Sequence, residues 1–203
     1  MSTDGTLSSL ESQLADAKTV ISAIANQLGT LTHIANALCD CLSRGGTLYL
    51  CGNGGSAADA QHVAAEFTGR FLRERRPLPA IALTTNSSTI TAIANDYDYS
   101  EVFARQVLAH ATPIDCVIGI STSGSSASIL KALAVARSLD VLTIGFTGNR
   151  GAELAALSDH CFMAPSSHTP RIQEAHLVAW HLVCDVVDER MTLSTSANQG
   201  KSP

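Results

Sequence analysis

Short apolar runs alternate with helix-forming segments through most of this 203-residue chain. The runs are continuous rather than alternating, as expected for strands that are covered on both faces. They lie at 48–51, 80–83, 116–120, 141–146 and 161–164. Strands that alternate with helices predict a parallel sheet with right-handed crossovers. We therefore predict an α/β fold with a doubly wound parallel sheet.

Further helices are predicted on either side of this region. Residues 7–28 carry apolar side chains at three- and four-residue spacing, which indicates an amphipathic helix. A second helix is predicted over 30–43, before Gly45 and Gly46, and a last helix over 170–190. The predicted units are an N-terminal helical pair (1–45) that packs on the core and on partner subunits, an α/β domain (46–190) and a flexible tail (191–203).

Composition and charge exclude several classes of protein. Hydrophobic residues make up 45% of the chain and charged residues 15%, which excludes a disordered chain. The formal net charge is −5, and the densest basic run is Arg73-Glu74-Arg75-Arg76, which we interpret as a solvated loop. We therefore expect no nucleic-acid partner.

Signals for export or membrane insertion are not expected either. No apolar run reaches the ~18 residues of a membrane span, and the N-terminal residues lack the pattern of a signal peptide. The six cysteines form no Cys-x-x-Cys pair, and we expect buried free thiols in a reducing compartment. These features predict a cytoplasmic protein without membrane contact.

The first apolar run ends in a glycine-rich turn, Gly52-Asn53-Gly54-Gly55-Ser56, and a helix-forming sequence follows at once. Such a junction directs backbone N–H groups at one point, which suits an anion. The turn also fits the Gly-x-Gly-x-x-Ala variant of the dinucleotide fingerprint. However, the next run ends at 84–88 without the acidic residue that holds a ribose, and no Gly-Lys-Ser/Thr follows. We expect no nucleotide cofactor, and a plain tight turn is the alternative.

A second junction of the same kind follows the third apolar run. It contains Ser121, Thr122, Ser123, Ser125 and Ser126, and a helix is predicted directly after it. One serine in this place would be an N-cap and no more. Several hydroxyl groups beside a helix N-terminus, without Lys or Arg, indicate a cradle for phosphate. The two junctions together predict a phosphorylated, polyhydroxylated ligand.

Two helices carry candidates for acid–base chemistry or for a metal site. His62 and Glu66 are four residues apart and share one helix face, and Gln173 and His181 are eight apart on the last helix. Singly, each has a structural explanation as a core histidine or a surface ion pair. Together they could move a proton or surround Zn²⁺, although glutamine is an uncommon zinc ligand.

One further pair is a candidate ligand site. Asn95 and Asp96 mark the end of a predicted helix, where they either form a turn or bind sugar hydroxyl groups.

Four stretches of the sequence, in order, resemble the phosphoheptose isomerase family of sugar isomerase (SIS) domain proteins. They read CGNGGSAADAQHVAAE from Cys51, ANDYDY from Ala94, GISTSG from Gly119 and RIQEAH from Arg171.

The resemblance implies a three-layer fold with a five-stranded parallel sheet, in a homotetramer with active sites between subunits. It implies conversion of sedoheptulose 7-phosphate to D-glycero-D-manno-heptose 7-phosphate through an enediol. This is the first step toward activated heptose for lipopolysaccharide core or other glycoconjugates. The alternative is a non-catalytic SIS module of the replication-initiator-associating type, which lacks the catalytic Glu and His that this chain has.

The resemblance also implies roles for particular residues. Glu66 and His181 are the catalytic acid–base pair, and one zinc ion per subunit is held by His62, Glu66, Gln173 and His181. The two roles of Glu66 compete, because a carboxylate bound to zinc is a weaker base. The implied substrate contacts are Asn53, Gly54, Gly55, Ser56, Glu66, Asn95, Asp96, Ser121, Thr122, Ser123, Ser126 and Gln173. Pro170 departs from the family pattern, since some members have an acidic residue there.

Overall fold

A five-stranded parallel sheet forms the centre of the protein, as the sequence predicts. The computed structural model describes residues 3–199, and the side chains of residues 5–193. The strands are β1 (Leu48–Gly52), β2 (Ala80–Ala82), β3 (Cys116–Ser121), β4 (Leu142–Gly148) and β5 (His160–Ala164). Their order is β2-β1-β3-β4-β5. The chain therefore changes direction across the sheet between β1 and β3, and ligands bind at the carboxyl ends of strands beside such a point.

Eight α-helices surround the sheet within the described residues. They are α1 (Thr3–Ala23), α2 (Leu28–Ser43), α3 (Gly55–Thr68), α4 (Ser87–Asp96), α5 (Ala104–His110), α6 (Ala127–Ser138), α7 (Ala152–Ala156) and α8 (Thr169–Gln199). None of these helices, over residues 3–199, combines the length and the apolar character that crossing a membrane requires.

The three central strands, β1, β3 and β4, are buried on both faces, which explains their continuous apolar sequences, whereas the edge strand β2 leaves Ile81 exposed. All five residues of β1 are buried. Leu48 and Leu50 belong to the core under α2, α3 and α8, whereas Tyr49 and Cys51 belong to the core under α5, α6 and α7. Successive side chains of a strand point to opposite faces, so β1 supplies both cores. The predicted three-layer arrangement is confirmed.

The predicted first helix, 7–28, breaks earlier than its pattern suggests. A 3₁₀ turn occupies Ile24–Gln27, and Gln27 has non-helical backbone angles. The Gln27 side chain donates to the carbonyl of Met163 at 2.6 Å and accepts from the Met163 N–H at 3.3 Å. Met163 lies on β5, an edge strand, so the amide of Gln27 satisfies backbone groups that a sheet edge leaves unpaired.

The last helix is longer than predicted. It continues past residue 190 to Gln199, and Met191 is buried in the core at 4% exposure. The predicted end near residue 190 was therefore wrong, since α8 ends only at Gln199. The flexibility assigned to 191–203 stays a prediction, and residues 200–203 lie outside the described residues.

The basic run before Pro77 is not simply a solvated loop. Arg75 is buried, and its side chain pairs with the buried Asp188 of α8. The solvated-loop interpretation was thus wrong for this arginine, since a distant carboxylate compensates the charge.

The expectation for the cysteines is confirmed: all six are free and five are buried, while Cys161 is partly buried. Burial raises the pKa of the Cys51 thiol to about 12, which makes it unreactive at neutral pH.

Candidate active site

The first glycine-rich loop joins β1 to α3 at the carboxyl edge of the sheet. Gly54 takes φ +55°, a left-handed conformation that glycine adopts without strain, and α3 begins at the next residue. The N–H of Ser56 donates to the Asn53 carbonyl at 3.0 Å, so the loop turns sharply into the helix. Ser56 itself is buried at 4% exposure. The Ala57 N–H donates likewise to the Gly54 carbonyl at 3.0 Å, so two of the first N–H groups of α3 are paired within the turn.

Gly55 provides the close approach between this loop and α8. A Cβ atom at this position would collide with the side-chain amide of Gln173. Gln173 therefore lies directly over the N-terminus of α3, and a side chain at position 55 would displace its amide. The contact places Gln173 beside the first loop, where the sequence predicts a substrate ligand.

Asn53 links the two predicted loops. Its Nδ2 group donates to the hydroxyl of Ser126 at 3.1 Å and to that of Ser128 at 3.0 Å. Its Oδ1 atom accepts from the Tyr99 hydroxyl at 2.8 Å. Ser126 precedes α6 in the N-cap position, yet its side chain makes no cap hydrogen bond. Its hydroxyl binds Asn53 instead, which differs from the plain N-cap that a serine in this place would otherwise be.

The second loop orders its hydroxyl groups by internal hydrogen bonds. The Ser121 hydroxyl accepts from the Gly124 N–H at 3.2 Å and lies 3.4 Å from the hydroxyl of Ser123. Ser123 Oγ accepts from the N–H of Ser125 at 3.3 Å and from its hydroxyl at 3.2 Å. Ser121 is buried, whereas Ser123 and Ser125 are exposed. The loop thus exposes the hydroxyl groups of Ser123 and Ser125, and hydrogen bonds within the loop fix their positions.

Thr122 and Ser123 also border a cavity of about 180 Å³. The cavity lies at the carboxyl ends of β3, β4 and β5, and its other lining residues are Gly148, Arg150, Ser166, Ser167 and Thr169. The sequence analysis missed Arg150 and the serines after β5. The sequence did contain a signal for these residues, because Arg150 follows the fourth predicted strand and small polar residues follow the fifth. The two loops contain no Lys or Arg, but Arg150 brings a guanidinium to the same sheet edge.

Three of the four predicted metal and acid–base residues meet between α3 and α8. His62 Nε2 lies 3.0 Å from His181 Nε2 and 3.4 Å from Glu66 Oε1. One ligand atom from each of the three residues falls within 4.8 Å of the others. The Phe71 ring packs against His181 with centroids 5.6 Å apart. A carboxylate and two imidazoles in this arrangement can exchange protons or hold a cation.

A fourth ionisable group lies one turn from this cluster. Burial raises the pKa of the Asp59 carboxyl above its usual range, and the nearby His62 opposes the change. Within the described part of the chain, the buried Asp59 Oδ2 atom has no hydrogen-bond partner. No sequence signal singled out this carboxylate, because nothing in its local pattern shows the burial.

The remaining predicted residues lie apart from the cluster. Asn95 and Asp96 are exposed at the end of α4 and bond to each other at 2.8 Å. Gln173 contacts Gly55, which precedes His62 by two turns of α3. The roles of Asn95 and Asp96 in sugar binding, and of Gln173 in metal binding, stay predictions.

Comparisons with known proteins identify the fold and the family. A family model for the SIS domain matches residues 14–148. The phosphoheptose isomerase of Roseiflexus sp. is 54% identical over 168 residues, which cover 83% of this chain and 85% of the relative. This chain belongs to the phosphoheptose isomerase family. The family is one of enzymes, so the comparisons support an isomerase over a non-catalytic module.

Solved structures agree with this membership. The phosphoheptose isomerase from Neisseria gonorrhoeae superposes with a TM-score of 0.85 at 38% identity, over 91% of this chain and 99% of the other. The phosphoheptose isomerase from Francisella tularensis gives a TM-score of 0.87 at 36% identity, over 91% and 98%. The predicted fold class is thereby confirmed for the whole sheet and its helices.

Proposed function

We propose that this protein interconverts sedoheptulose 7-phosphate and D-glycero-D-manno-heptose 7-phosphate. The observation that carries the proposal is the meeting of Glu66, His62 and His181 from two helices, in a chain of an isomerase family. Aldose–ketose isomerisation needs one group that moves a proton at carbon and another that moves a proton at oxygen. A carboxylate and an imidazole supply both.

The reaction balances with these two residues alone. Glu66 removes a proton from C1 of the ketose, and the released electron pair forms the C1–C2 double bond. His181 gives a proton to the C2 oxygen, which completes the enediol. In the second half, the C1 hydroxyl loses its proton to His181 and C1 becomes the aldehyde. The double bond then takes the proton from Glu66 at C2.

The two small-residue loops are the proposed site of the phosphate. Backbone N–H groups at the start of α6 offer hydrogen bonds, and the hydroxyls of Ser121, Ser123 and Ser126 add further donors. The bond between Asn53 and Ser126 holds the two loops together at 3.1 Å. Positioning by such fixed groups contributes to catalysis because the reacting carbon atoms arrive in one orientation.

Zinc fits the cluster by its donor chemistry. The separations of 3.0 and 3.4 Å between ligand atoms suit bonds of roughly 2.0–2.1 Å around a tetrahedral ion. His62, Glu66 and His181 would hold one ion per subunit, whereas the predicted fourth ligand, Gln173, lies over Gly55 in the same chain, about two turns of α3 from His62. A bound zinc ion polarises substrate oxygens as a Lewis acid.

The distance within one chain between the first glycine-rich loop and Glu66 agrees with a homotetramer whose active sites lie between subunits. Positions 55 and 66 on α3 lie about 16 Å apart along the helix axis, at 1.5 Å per residue. A heptose 7-phosphate spans roughly 10 Å from phosphorus to C1, with extended bonds of about 1.5 Å. The separation exceeds the length of the substrate itself, so these distances are compatible with a site that combines the loops of one subunit with the acid–base residues of another. Leu7, Leu10 and Leu14 on α1 are exposed, which agrees with burial against partner subunits.

We place the reaction in the cytoplasm, where buried free thiols are typical, and assign its product to activated heptose for lipopolysaccharide core or related glycoconjugates. The test is incubation with sedoheptulose 7-phosphate in D₂O. We expect the aldose, with solvent deuterium at C2 because Glu66 exchanges its proton. Retained ligand binding without any aldose would refute the isomerase and support the non-catalytic module.

A further inference from the structure

Arg75 and Asp188 form an ion pair that is removed from solvent. Arg75 Nε donates to Asp188 Oδ1 at 2.7 Å, and the two side chains are 1% and 0% exposed. A buried pair of this kind contributes little net stability, because desolvation of both charges offsets their attraction. Stability alone therefore does not explain why the chain has this ion pair. The further hydrogen bonds of Arg75 and Asp188 indicate a second role.

The guanidinium of Arg75 forms hydrogen bonds with backbone carbonyl groups at the C-terminal end of α3. It donates to the carbonyl of Glu66 at 2.9 Å, of Phe67 at 3.0 Å and of Gly69 at 3.3 Å. The last carbonyl groups of a helix have no partner within the helix, and a positive charge is favourable there. Arg75 thus holds the backbone of Glu66 itself, the residue proposed as the base.

Asp188 holds the loop that follows α3 against α8. Its Oδ2 atom accepts from the N–H groups of Leu72 at 3.1 Å and Arg73 at 2.6 Å. Asp188 follows His181 by seven residues, which puts the two on one face of α8, about 10 Å apart along the axis. The ion pair therefore joins the helix of Glu66 and His62 to the helix of His181.

We propose that the Arg75–Asp188 pair is a positioning clamp, which fixes α3 against α8 and so sets the distance from Glu66 and His62 to His181. The inference rests on the proposed assignment of these three residues as the reaction centre. A misplacement of about 1 Å can reduce catalysis a hundredfold. The phosphate loops lie at the opposite end of α3, so the clamp affects the reaction step and not substrate binding.

The test variant is the double substitution Arg75→Met with Asp188→Leu. Replacing both members of a buried ion pair by apolar residues of similar volume commonly preserves folding. We expect a folded protein in which kcat falls at least tenfold while KM stays within threefold of the parent. Zinc affinity, measured by competition with a chelator, should fall at least tenfold, because outer-shell groups tune metal sites by about 10- to 100-fold.

Two single variants separate the clamp from a general effect of charge. Arg75→Lys keeps the charge beside Asp188 but cannot reach the three carbonyl groups, so we expect it to lower kcat and zinc affinity in the same direction. The matched control is Arg70→Gln, which removes the exposed Arg70–Glu74 pair from the same loop after α3. We expect this control to match the parent within twofold in kcat, KM and zinc affinity.

The outcomes distinguish the clamp from the proposed function. Folded Arg75→Lys and double variants with parental kcat and zinc affinity would overturn the clamp. Should the double variant unfold, Arg75→Lys decides by the same readouts. A parent that binds zinc but does not isomerise would refute the proposed function, and zinc affinity would still test the clamp. A parent protein that neither binds zinc nor isomerises the substrate would refute both the proposed reaction centre and the clamp.

Discussion

The Nε2 atoms of His62 and His181 lie 3.0 Å apart, although 119 residues separate the two in the sequence. Two neutral imidazoles can share this contact only if one of the facing nitrogens carries the proton and the other accepts it. A cation between them removes that requirement, and Glu66 Oε1, 3.4 Å from His62, supplies the negative charge. The contact is therefore compatible with a metal ion that takes the Nε2 lone pair of each neutral imidazole, with the proton of each ring on Nδ1.

We expect zinc to stabilise the protein against heat through this contact. Zinc at 100 times its dissociation constant adds about 2.7 kcal/mol, which raises the melting temperature by roughly 5–10 °C for a chain of this size. His62→Ala removes a ligand shared by both short contacts and should abolish the shift. The exposed His110→Ala variant is the control, and thermal melts with and without zinc are the measurement. An equal shift in parent and His62→Ala would refute the site.

Glu66→Gln should abolish most of the isomerase activity. The amide keeps the size of the side chain but cannot take a proton from carbon, and loss of a general base costs a factor of ~10² to 10⁴ in rate. Glu153→Gln, an exposed change on α7, is the matched control and should leave the rate unchanged. The measurement is kcat with sedoheptulose 7-phosphate, together with deuterium exchange at carbon. Parental turnover by Glu66→Gln would exclude this carboxylate as the base.

The parts of the fold that depend on local pattern could be predicted from the sequence. Continuous apolar runs indicated all five strands, and small residues at the ends of β1 and β3 indicated both loops. The spacing of His62 and Glu66 put them on one helix face, as observed. Each of these signals lies within about 16 consecutive residues, where the period of helix or strand fixes which side chains are neighbours.

The parts that depend on tertiary contacts could not be predicted. Gln27 has a helical neighbourhood, but its amide pairs with the edge strand β5 and ends the helix pattern. Arg75 stands in a charged run, and only the distant Asp188 explains its burial. Tyr99 bonds to Asn53 across 46 positions. In each case the deciding partner is remote in sequence, so no local pattern contains it.

Gly55→Ala should damage the site, whereas Gly29→Ala should not. A Cβ atom at position 55 collides with the Gln173 amide, so either Gln173 or the first loop must move. At position 29, within α2, a Cβ atom meets nothing within 4 Å, and alanine there gains roughly 0.5–1 kcal/mol of stability. We expect Gly55→Ala to raise KM at least tenfold and Gly29→Ala to keep parental kinetics with a higher melting temperature. Steady-state kinetics and thermal melts of the two variants test this, and parental KM in Gly55→Ala would contradict it.

His176 should make the folded protein less stable as the pH falls below 6.5. Burial lowers the pKa of its imidazole to about 4, and Nε2 donates to the Thr147 carbonyl at 3.1 Å. Above pH 6.5 the imidazole is neutral in both the folded and the unfolded chain and adds no pH dependence. Between pH 6.5 and 4 the unfolded chain binds a proton that the folded chain does not, so unfolding becomes easier by roughly 3 kcal/mol over this interval.

The His176→Gln variant isolates this contribution, because a glutamine amide can still donate to Thr147 but does not titrate. We expect the variant to be less stable than the parent at pH 7, since the edge contacts of the imidazole with Phe146 and Phe162 are lost. The difference between the two should then shrink as the pH falls from 6.5 to 4, because only the parent has this histidine to protonate on unfolding. Urea unfolding at several pH values measures both curves. A difference that stays constant with pH would show that the folded protein accommodates the charged imidazole.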